Sequence, residues 1–125
     1  MSYDIALYVK VEDTDIYAKV AEPEFAKPTY NLGEMFRACM DWDFKQSERM
    51  ESGEYKTCCY PCEFVLDKAE RGIRELRTNT KAYEKYNPSN GWGDITSAIR
   101  VLESLRECIL ETSGRIPIKY LYMAW

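Results

Sequence analysis

Hydrophobic and polar residues alternate at the start of the chain, which predicts a strand over residues 3–11. Successive side chains of a strand point to opposite faces, so a half-buried strand shows a period of two. A short polar turn follows, and residues 16–21 predict a second strand, so we expect a β-hairpin. Residues 118–125 alternate again with apolar groups on both faces, which predicts a central strand between the hairpin and the helices.

Between these strands, apolar residues recur every three or four positions and predict three amphipathic helices. They are expected over residues 32 to about 43, 61 to about 78, and 94 to about 111, with Asn31 and Asp94 as N-caps of the first and last. Residues 80–86 predict a short helical turn, and residues 45–57 predict a polar surface loop. The predicted fold class is α+β: a small antiparallel sheet (N-terminal hairpin plus C-terminal strand) packed on three helices, in the order β-β-α-α-α-β, as a single domain over residues 1–125.

The same periodicity predicts which residues form the core. They are Leu32, Met35, Phe36, Cys39 and Met40 on the first helix, Val65, Leu66, Ala69, Ile73 and Leu76 on the second, and Ile95, Ala98, Ile99, Leu102, Leu105 and Ile109 on the last.

Composition narrows the range of functions. The 125 residues carry a net charge of −4, without the basic surface that a nucleic-acid-binding domain normally shows, so direct nucleic-acid binding is not expected. No apolar run has the length of a membrane span, and the first residues do not resemble a secretory signal, so we expect a cytoplasmic protein that does not contact membranes. The absence of histidine excludes Ser-His-Asp and Cys-His catalysis and every histidine-containing zinc site.

Five cysteines are present, an odd number that does not favour a disulfide framework. Cys58, Cys59 and Cys62 lie at a predicted helix start, where the helix dipole would stabilise a thiolate. A redox or metal role therefore stays open as an alternative. However, the segment before these residues is polar, unlike the buried strand that precedes thioredoxin-like sites, and no histidine is available as a zinc ligand. We expect packing roles for the cysteines, and neither a metal nor a cofactor.

The sequence from Asn87 to Asp94, Asn-Pro-Ser-Asn-Gly-Trp-Gly-Asp, predicts a tight turn directly before the last helix. Proline restricts the backbone, Asn-Gly tolerates positive φ, and Asp94 is suited to cap the helix. Free amides beside a helix N-terminus favour an anion, and Trp92 offers a flat face to a base or sugar. The alternative is that Trp92 covers the core and the glycines only shape a loop.

Arg106 falls within the apolar stripe of the last helix, where a guanidinium must be paired or must face a cavity or an anion. It could equally extend its long side chain to solvent. If the two glycine-containing helix starts lie side by side, their donors would line one pocket suited to a phosphate-bearing small molecule. Arg37, which falls off the apolar face of the first helix, is a further candidate. The predicted ligand-binding residues are Asn31, Gly33, Arg37, Asn90, Gly91, Trp92, Gly93 and Arg106.

Two short motifs carry a resemblance to known proteins. The Asn-Leu-Gly-x-Met segment from Asn31 to Met35 and the Asn-Gly-Trp-Gly turn from Asn90 to Gly93 resemble small, mostly uncharacterised proteins of tailed bacteriophages and prophages. In that group each motif precedes or opens a helix. The last helix, with Arg106-Glu107-Cys108, and the aromatic C-terminus also look like some members. The resemblance implies a phage or prophage origin and, in that case, the host cytoplasm, but no particular activity.

Three functions from different classes are compatible with the sequence. The first is a non-enzymatic accessory protein that sequesters a nucleotide-type small molecule and so counteracts a host defence system. The second is a protein–protein inhibitor, for example of a host nuclease, that acts through an aromatic surface and an acidic stretch. That stretch contains Asp41, Asp43, Glu48, Glu51 and Glu54. The third, a carboxylate- or metal-dependent hydrolase, is disfavoured because no spacing brings several carboxylates together. Exposed tyrosines and Trp125 would suit a homodimer interface.

Overall fold

The computed structural model describes residues 2–14, 16–46, 48–49, 55–56, 59–88 and 93–125. The α-helices are α1 (Gly33–Met40), α2 (Cys62–Thr78), α3 (Thr80–Tyr83) and α4 (Ile95–Ser113). Short 3-10 turns cover Tyr30–Leu32, Glu84–Tyr86 and Ile118–Tyr120. The strands are β1 (Ala6–Lys10), β2 (Tyr17–Ala21), β3 (Glu48–Arg49), β4 (Tyr55–Lys56), β5 (Tyr60–Pro61) and β6 (Leu121–Ala124).

Four strands form an antiparallel sheet in the order β2-β1-β6-β5. The register places Tyr8 of β1 opposite Lys19 of β2 and opposite Tyr122 of β6. The predicted hairpin and the interior position of the C-terminal strand are therefore confirmed. The strands β5 and the separate β3–β4 pair were not predicted, because a two-residue strand carries no detectable periodicity. The sequence predicted a surface loop over residues 45–57, but the structure has the β3–β4 pair within this segment. Residues 47, 50–54 and 57 of the predicted loop lie outside the described residues.

The core lies where α1 and α4 pack against α2 and where the helices meet the sheet. All five residues predicted to face inward from the first helix are buried, as are those of the last helix apart from the half-buried Ile99. The three helices meet at Gly72 of α2. A Cβ added there would lie 2.8 Å from Leu102 Cδ1 of α4 and 2.9 Å from Met40 Cγ of α1.

Aromatic side chains fill one end of this core. The Trp125 ring stacks on Phe44, with centroids 4.2 Å apart, and also contacts Tyr3, Phe36 and Trp42. Trp125 is only 1% exposed. The expectation that it contributes to a homodimer interface is therefore wrong, because its apolar surface is already covered within the chain.

The structure also corrects two element boundaries. The first helix ends at Met40 instead of near residue 43, because Asp41 adopts a left-handed conformation with φ of 50°. The first strand begins at Ala6 and not at residue 3. The residues before it lie beside the connector that follows β2, where the Tyr3 amide donates to Pro28 O at 2.9 Å and the Ile5 amide donates to Ala26 O at 2.7 Å.

Candidate functional site

Gly93, directly before α4, packs against the start of α1. A Cβ added to Gly93 would lie 3.0 Å from Leu32 Cδ2 and 3.2 Å from Thr29 Cγ2, and its φ of +90° is a conformation that favours glycine. Two segments about sixty positions apart in the sequence thus meet at their helix starts. We call this region the helix-start junction, and it comprises Tyr3, Thr29, Leu32, Gly33, Arg37 and Gly93.

Tyr3 reaches the junction because the N-terminal segment lies along the connector before α1. Ser2 and Thr29 form an antiparallel bridge, and the Tyr3 ring lies 4.7 Å from the Tyr30 ring between centroids. The Tyr3 hydroxyl lies over the backbone of Gly33, and both this hydroxyl and Arg37 Nη1 lie within 3.0 Å of the place where a Cβ of residue 33 would be. Gly33 has ordinary helical dihedrals, so glycine is needed here for space and not for backbone freedom.

The backbone amides at both helix starts are largely occupied by groups of the chain itself. Thr29, not Asn31, caps the first turn: its Oγ1 accepts from the Asn31 amide at 3.3 Å, while Asn31 is exposed. The Leu32 amide donates to Thr29 O at 3.1 Å, and the Gly33 amide donates to Tyr30 O. The prediction of Asn31 as N-cap is wrong because a 3-10 turn capped by Thr29 precedes α1, so the helical segment begins at Tyr30, two residues before the predicted start at Leu32.

At α4 the predicted cap is confirmed. Asp94 Oδ1 accepts from the Ser97 amide at 2.8 Å, and this hydrogen bond lowers the pKa of the Asp94 carboxyl. The carboxylate therefore already occupies the positive end of α4. Because the Asn31, Leu32 and Gly33 amides are already bonded within the chain, the amide-lined pocket expected from the sequence is not the arrangement found at the start of α1, where the junction instead offers the side-chain groups of Tyr3 and Arg37.

Arg37 supplies the positive charge of the junction. Its guanidinium lies over the Phe44 ring, 4.3 Å from the centroid, and its Nε and Nη2 each donate to Phe44 O at 3.4 Å. Nε also lies 3.5 Å from Asp43 Oδ1, but the Asp43 side chain is 82% exposed, so this ion pair is weak. Nη1 has no acceptor among the described residues, which leaves one edge of the guanidinium available.

Arg106 is remote from this region. It lies eleven residues into α4, which places it about 17 Å along the helix axis from Ile95. The buried face of α4 includes Ser104, Cys108 and Thr112, and is centred near Leu105. Arg106 is therefore half-buried at the edge of that face, about 100° from its centre. The sequence pattern placed Arg106 inside the apolar stripe because only apolar residues were used to locate the buried face. The buried polar residues Ser104 and Thr112 move the centre of that face away from Arg106.

The remaining predicted site residues, Asn90, Gly91 and Trp92, lie outside the described residues. Of the predicted set, the structure brings Gly33, Arg37 and Gly93 into one region, with Asn31 at its exposed side, and places Arg106 elsewhere. Sequence reasoning missed Tyr3 as a site residue. The only sequence signal for Tyr3 was its hydroxyl group, because the other residues on the same face of the predicted strand, Ile5, Leu7 and Val9, are apolar.

The predicted Cys-x-x-Cys segment ends in a buried thiol. Cys62, its second cysteine, is fully buried at the start of α2, and burial raises the pKa of its thiol to about 12, so this thiol is not a reactive thiolate at neutral pH. Cys59 is half-buried, and Cys58 lies outside the described residues. Within the described ranges, no group of three or more Cys, Asp or Glu side chains is arranged to hold a metal ion.

In the described part of the chain, no helix combines the length and the apolar composition needed to cross a membrane. The sequence matches no family model, and comparisons with curated proteins and with solved structures gave no match.

Proposed function

We propose that this chain is a non-enzymatic binding protein that captures a phosphate-bearing small molecule at the helix-start junction. The resemblance of its two glycine-containing motifs to phage and prophage proteins supports a role in the host cytoplasm, where removal of a nucleotide-type signal would counteract a defence system. The observation that supports the proposal best is the approach of two side-chain donors, the Tyr3 hydroxyl and Arg37 Nη1, to the same glycine.

A guanidinium with one open edge suits a phosphate, because its planar donors match two phosphate oxygens. Besides its contacts with Phe44, Arg37 forms an ion pair with the exposed carboxylate of Asp43, and an exposed ion pair contributes at most about 1 kcal/mol. An incoming phosphate can therefore replace Asp43 at little cost. The Phe44 ring packs against the Arg37 guanidinium and restricts the orientation of the guanidinium before a ligand binds. Binding therefore costs less conformational entropy of the Arg37 side chain.

The nucleotide part of the proposal depends on the turn before Gly93. We propose that Trp92 stacks on a base and that the Asn90–Gly91 part of the turn adds amide donors. These three residues precede Gly93 directly, and Gly93 contacts Leu32 of the same junction. The expected ligands are mononucleotides and cyclic nucleotides.

A thermal-shift screen with nucleotides, cyclic nucleotides and inorganic phosphate tests the proposal. A ligand at a hundred times its Kd stabilises the folded state by about 2.7 kcal/mol, which is readily measured. Arg37→Gln should remove this stabilisation and Tyr3→Phe should reduce it. Arg74→Gln, the same change on the exposed side of α2, is the matched control. If no compound stabilises the wild-type protein, or if Arg37→Gln binds as well as Arg74→Gln, the proposal is wrong.

An inhibitor that acts on another protein is the second candidate. Trp42 packs edge-on against Phe64, with centroids 5.1 Å apart, and Phe64 remains 43% exposed. The exposed carboxylates Asp41 and Asp43 flank Trp42 in the sequence. An exposed aromatic residue beside acidic groups suits a basic partner such as a nuclease. A partner recovered from host lysate and still bound after Asp41→Lys and Asp43→Lys would contradict this alternative.

A further inference from the structure

The ion pair of Arg37 extends to a second cation. Asp43 Oδ1 lies 3.5 Å from Arg37 Nε, and Asp43 Oδ2 lies 3.8 Å from the Lys45 ammonium. The guanidinium and the ammonium are therefore close enough to hold one anionic group between them. The Asp43 side chain is 82% exposed, so its carboxylate returns to solvent without a change in the buried core when another anion takes its place.

The backbone that carries Lys45 is anchored beside the start of α1. Phe44 is fully buried, and the Lys45 amide donates to the Tyr60 hydroxyl at 2.8 Å. The side-chain amide of Gln46 donates to the Tyr30 hydroxyl at 2.9 Å. The Lys45 side chain itself is 71% exposed, and its long stem leaves the ammonium free to move. Lys45 can therefore follow a ligand that binds at the neighbouring guanidinium.

A buried hydroxyl completes the set of donors. Tyr3 is only 4% exposed, and its hydroxyl and Arg37 Nη1 both lie within 3.0 Å of the place where a Cβ of Gly33 would be. Within the described ranges, neither the hydroxyl nor Nη1 has an acceptor. Because the two donors converge on one place, a single ligand oxygen can accept from both.

The carboxylate of Asp43 sets a requirement on the charge of the ligand. A phosphate diester carries a single negative charge, as Asp43 does, so its exchange for the carboxylate adds no attraction to the two cations. A phosphate monoester is close to a dianion at pH 8, because its second pKa is about 6, and it offers three terminal oxygens. Glu34, in the first turn of α1, is exposed and forms no ion pair with Arg37 or Lys45 in the described part of the chain, so solvent screens its effect on either ligand.

We propose that the ligand of the helix-start junction is a terminal phosphate monoester and that Lys45 is a further binding residue for it. This inference rests on the proposed capture of a phosphate-bearing molecule, and it narrows the expected ligands from mononucleotides and cyclic nucleotides to mononucleotides. Arg37 and the Tyr3 hydroxyl bind the phosphate, and Lys45 binds its second negative charge. Asp43 acts as an internal competitor that disfavours singly charged ligands.

Isothermal titration calorimetry of the full chain at pH 8 tests the inference with adenosine monophosphate and cyclic adenosine monophosphate. The two ligands share the base and the sugar and differ in the phosphate, which is a monoester in the first and a diester in the second. We expect the monoester to bind at least about tenfold more tightly. Methyl phosphate and dimethyl phosphate, titrated by NMR, should show the same order without any contribution from a base.

Two substitutions separate the roles of the charged residues. Lys45→Gln should weaken binding of the monoester about tenfold and leave the weaker binding of the diester nearly unchanged. Asp43→Asn should strengthen binding of the diester and so reduce the difference between the two ligands. Lys19→Gln and Glu22→Gln are the matched controls, because Lys19 and Glu22 form an exposed ion pair in and after β2, and both should bind as the wild type does.

The possible results distinguish this inference from the proposed function. If the monoester and the diester bind equally well and Arg37→Gln abolishes both, the junction binds phosphate but the inference is wrong. Equal binding by Lys45→Gln and Lys19→Gln would overturn the role of Lys45. If no phosphate-bearing compound binds the wild-type protein, the proposed function itself fails, and the inference fails with it.

Discussion

The rings of Phe44 and Trp125 are stacked, with centroids 4.2 Å apart and planes inclined by 18°. Both side chains are fully buried, and Trp125 joins the strand β6 to the aromatic end of the core. The contact links the segment after α1 to the segment after β6, so it depends on the complete fold and not on local sequence.

Replacing Trp125 with alanine should lower the free energy of unfolding by about 3–5 kcal/mol, because it removes a large buried side chain and leaves a cavity. Urea unfolding followed by circular dichroism measures this change. Tyr120→Ala, which truncates an aromatic side chain that is 51% exposed, should change stability much less. Similar losses in the two variants would contradict the buried position of Trp125.

Gly93→Ala should destabilise the protein by about 1–3 kcal/mol, because alanine is strained at a φ of +90° and its Cβ would press on Leu32. Gly114→Ala is a suitable control, since Gly114 has a φ of −71° that alanine adopts readily. The free energies of unfolding of the two variants should differ by at least about 1 kcal/mol. Equal stability of these variants would mean that the contact between Gly93 and the start of α1 is absent.

Asp94→Ala should cost about 1 kcal/mol, because the Ser97 amide loses its acceptor at the start of α4. The cost should depend on pH. The pKa of Asp94 is lower in the folded protein than in the unfolded chain, so its carboxylate stabilises the fold above its unfolded pKa and loses that effect as the pH falls through the folded pKa. Unfolding curves of the wild type and the variant, recorded from neutral to acidic pH, should therefore converge on the acid side. A stability difference that stays constant over this range would argue against a charged cap.

Cys39 and Cys62 should resist alkylation in the folded protein at neutral pH. Both are fully buried, and burial raises the pKa of each thiol to about 12, so the thiolate is scarce and inaccessible. Mass spectrometry after brief iodoacetamide treatment should find these positions unmodified in the native state and modified in denaturing guanidinium chloride. Rapid native labelling of Cys62 would contradict its packing role and reopen a redox function.

Periodicity predicted the elements that bury a continuous apolar face. The buried stripe from Ile95 to Ile109, the hairpin and the Asp94 cap follow from interactions within a few residues, which a single sequence displays directly. The Asn31 cap was predicted by the same local rule and is wrong, because Thr29 competes as the acceptor and initiates a 3-10 turn. Choices between neighbouring caps depend on the path of the preceding chain, which a local pattern does not contain.

The sequence by itself determined the α+β class, the order of the main elements and most of the core, because apolar periodicity and capping act over short distances along the chain. Only the tertiary structure decided that Gly93 contacts Leu32, that the Tyr3 hydroxyl and Arg37 approach the same glycine, that Arg106 lies at the edge of the buried face of α4, and that Trp125 is enclosed. These relationships join segments many residues apart. They are fixed by how the sheet and the helices pack together, and no pattern within one segment reports that packing.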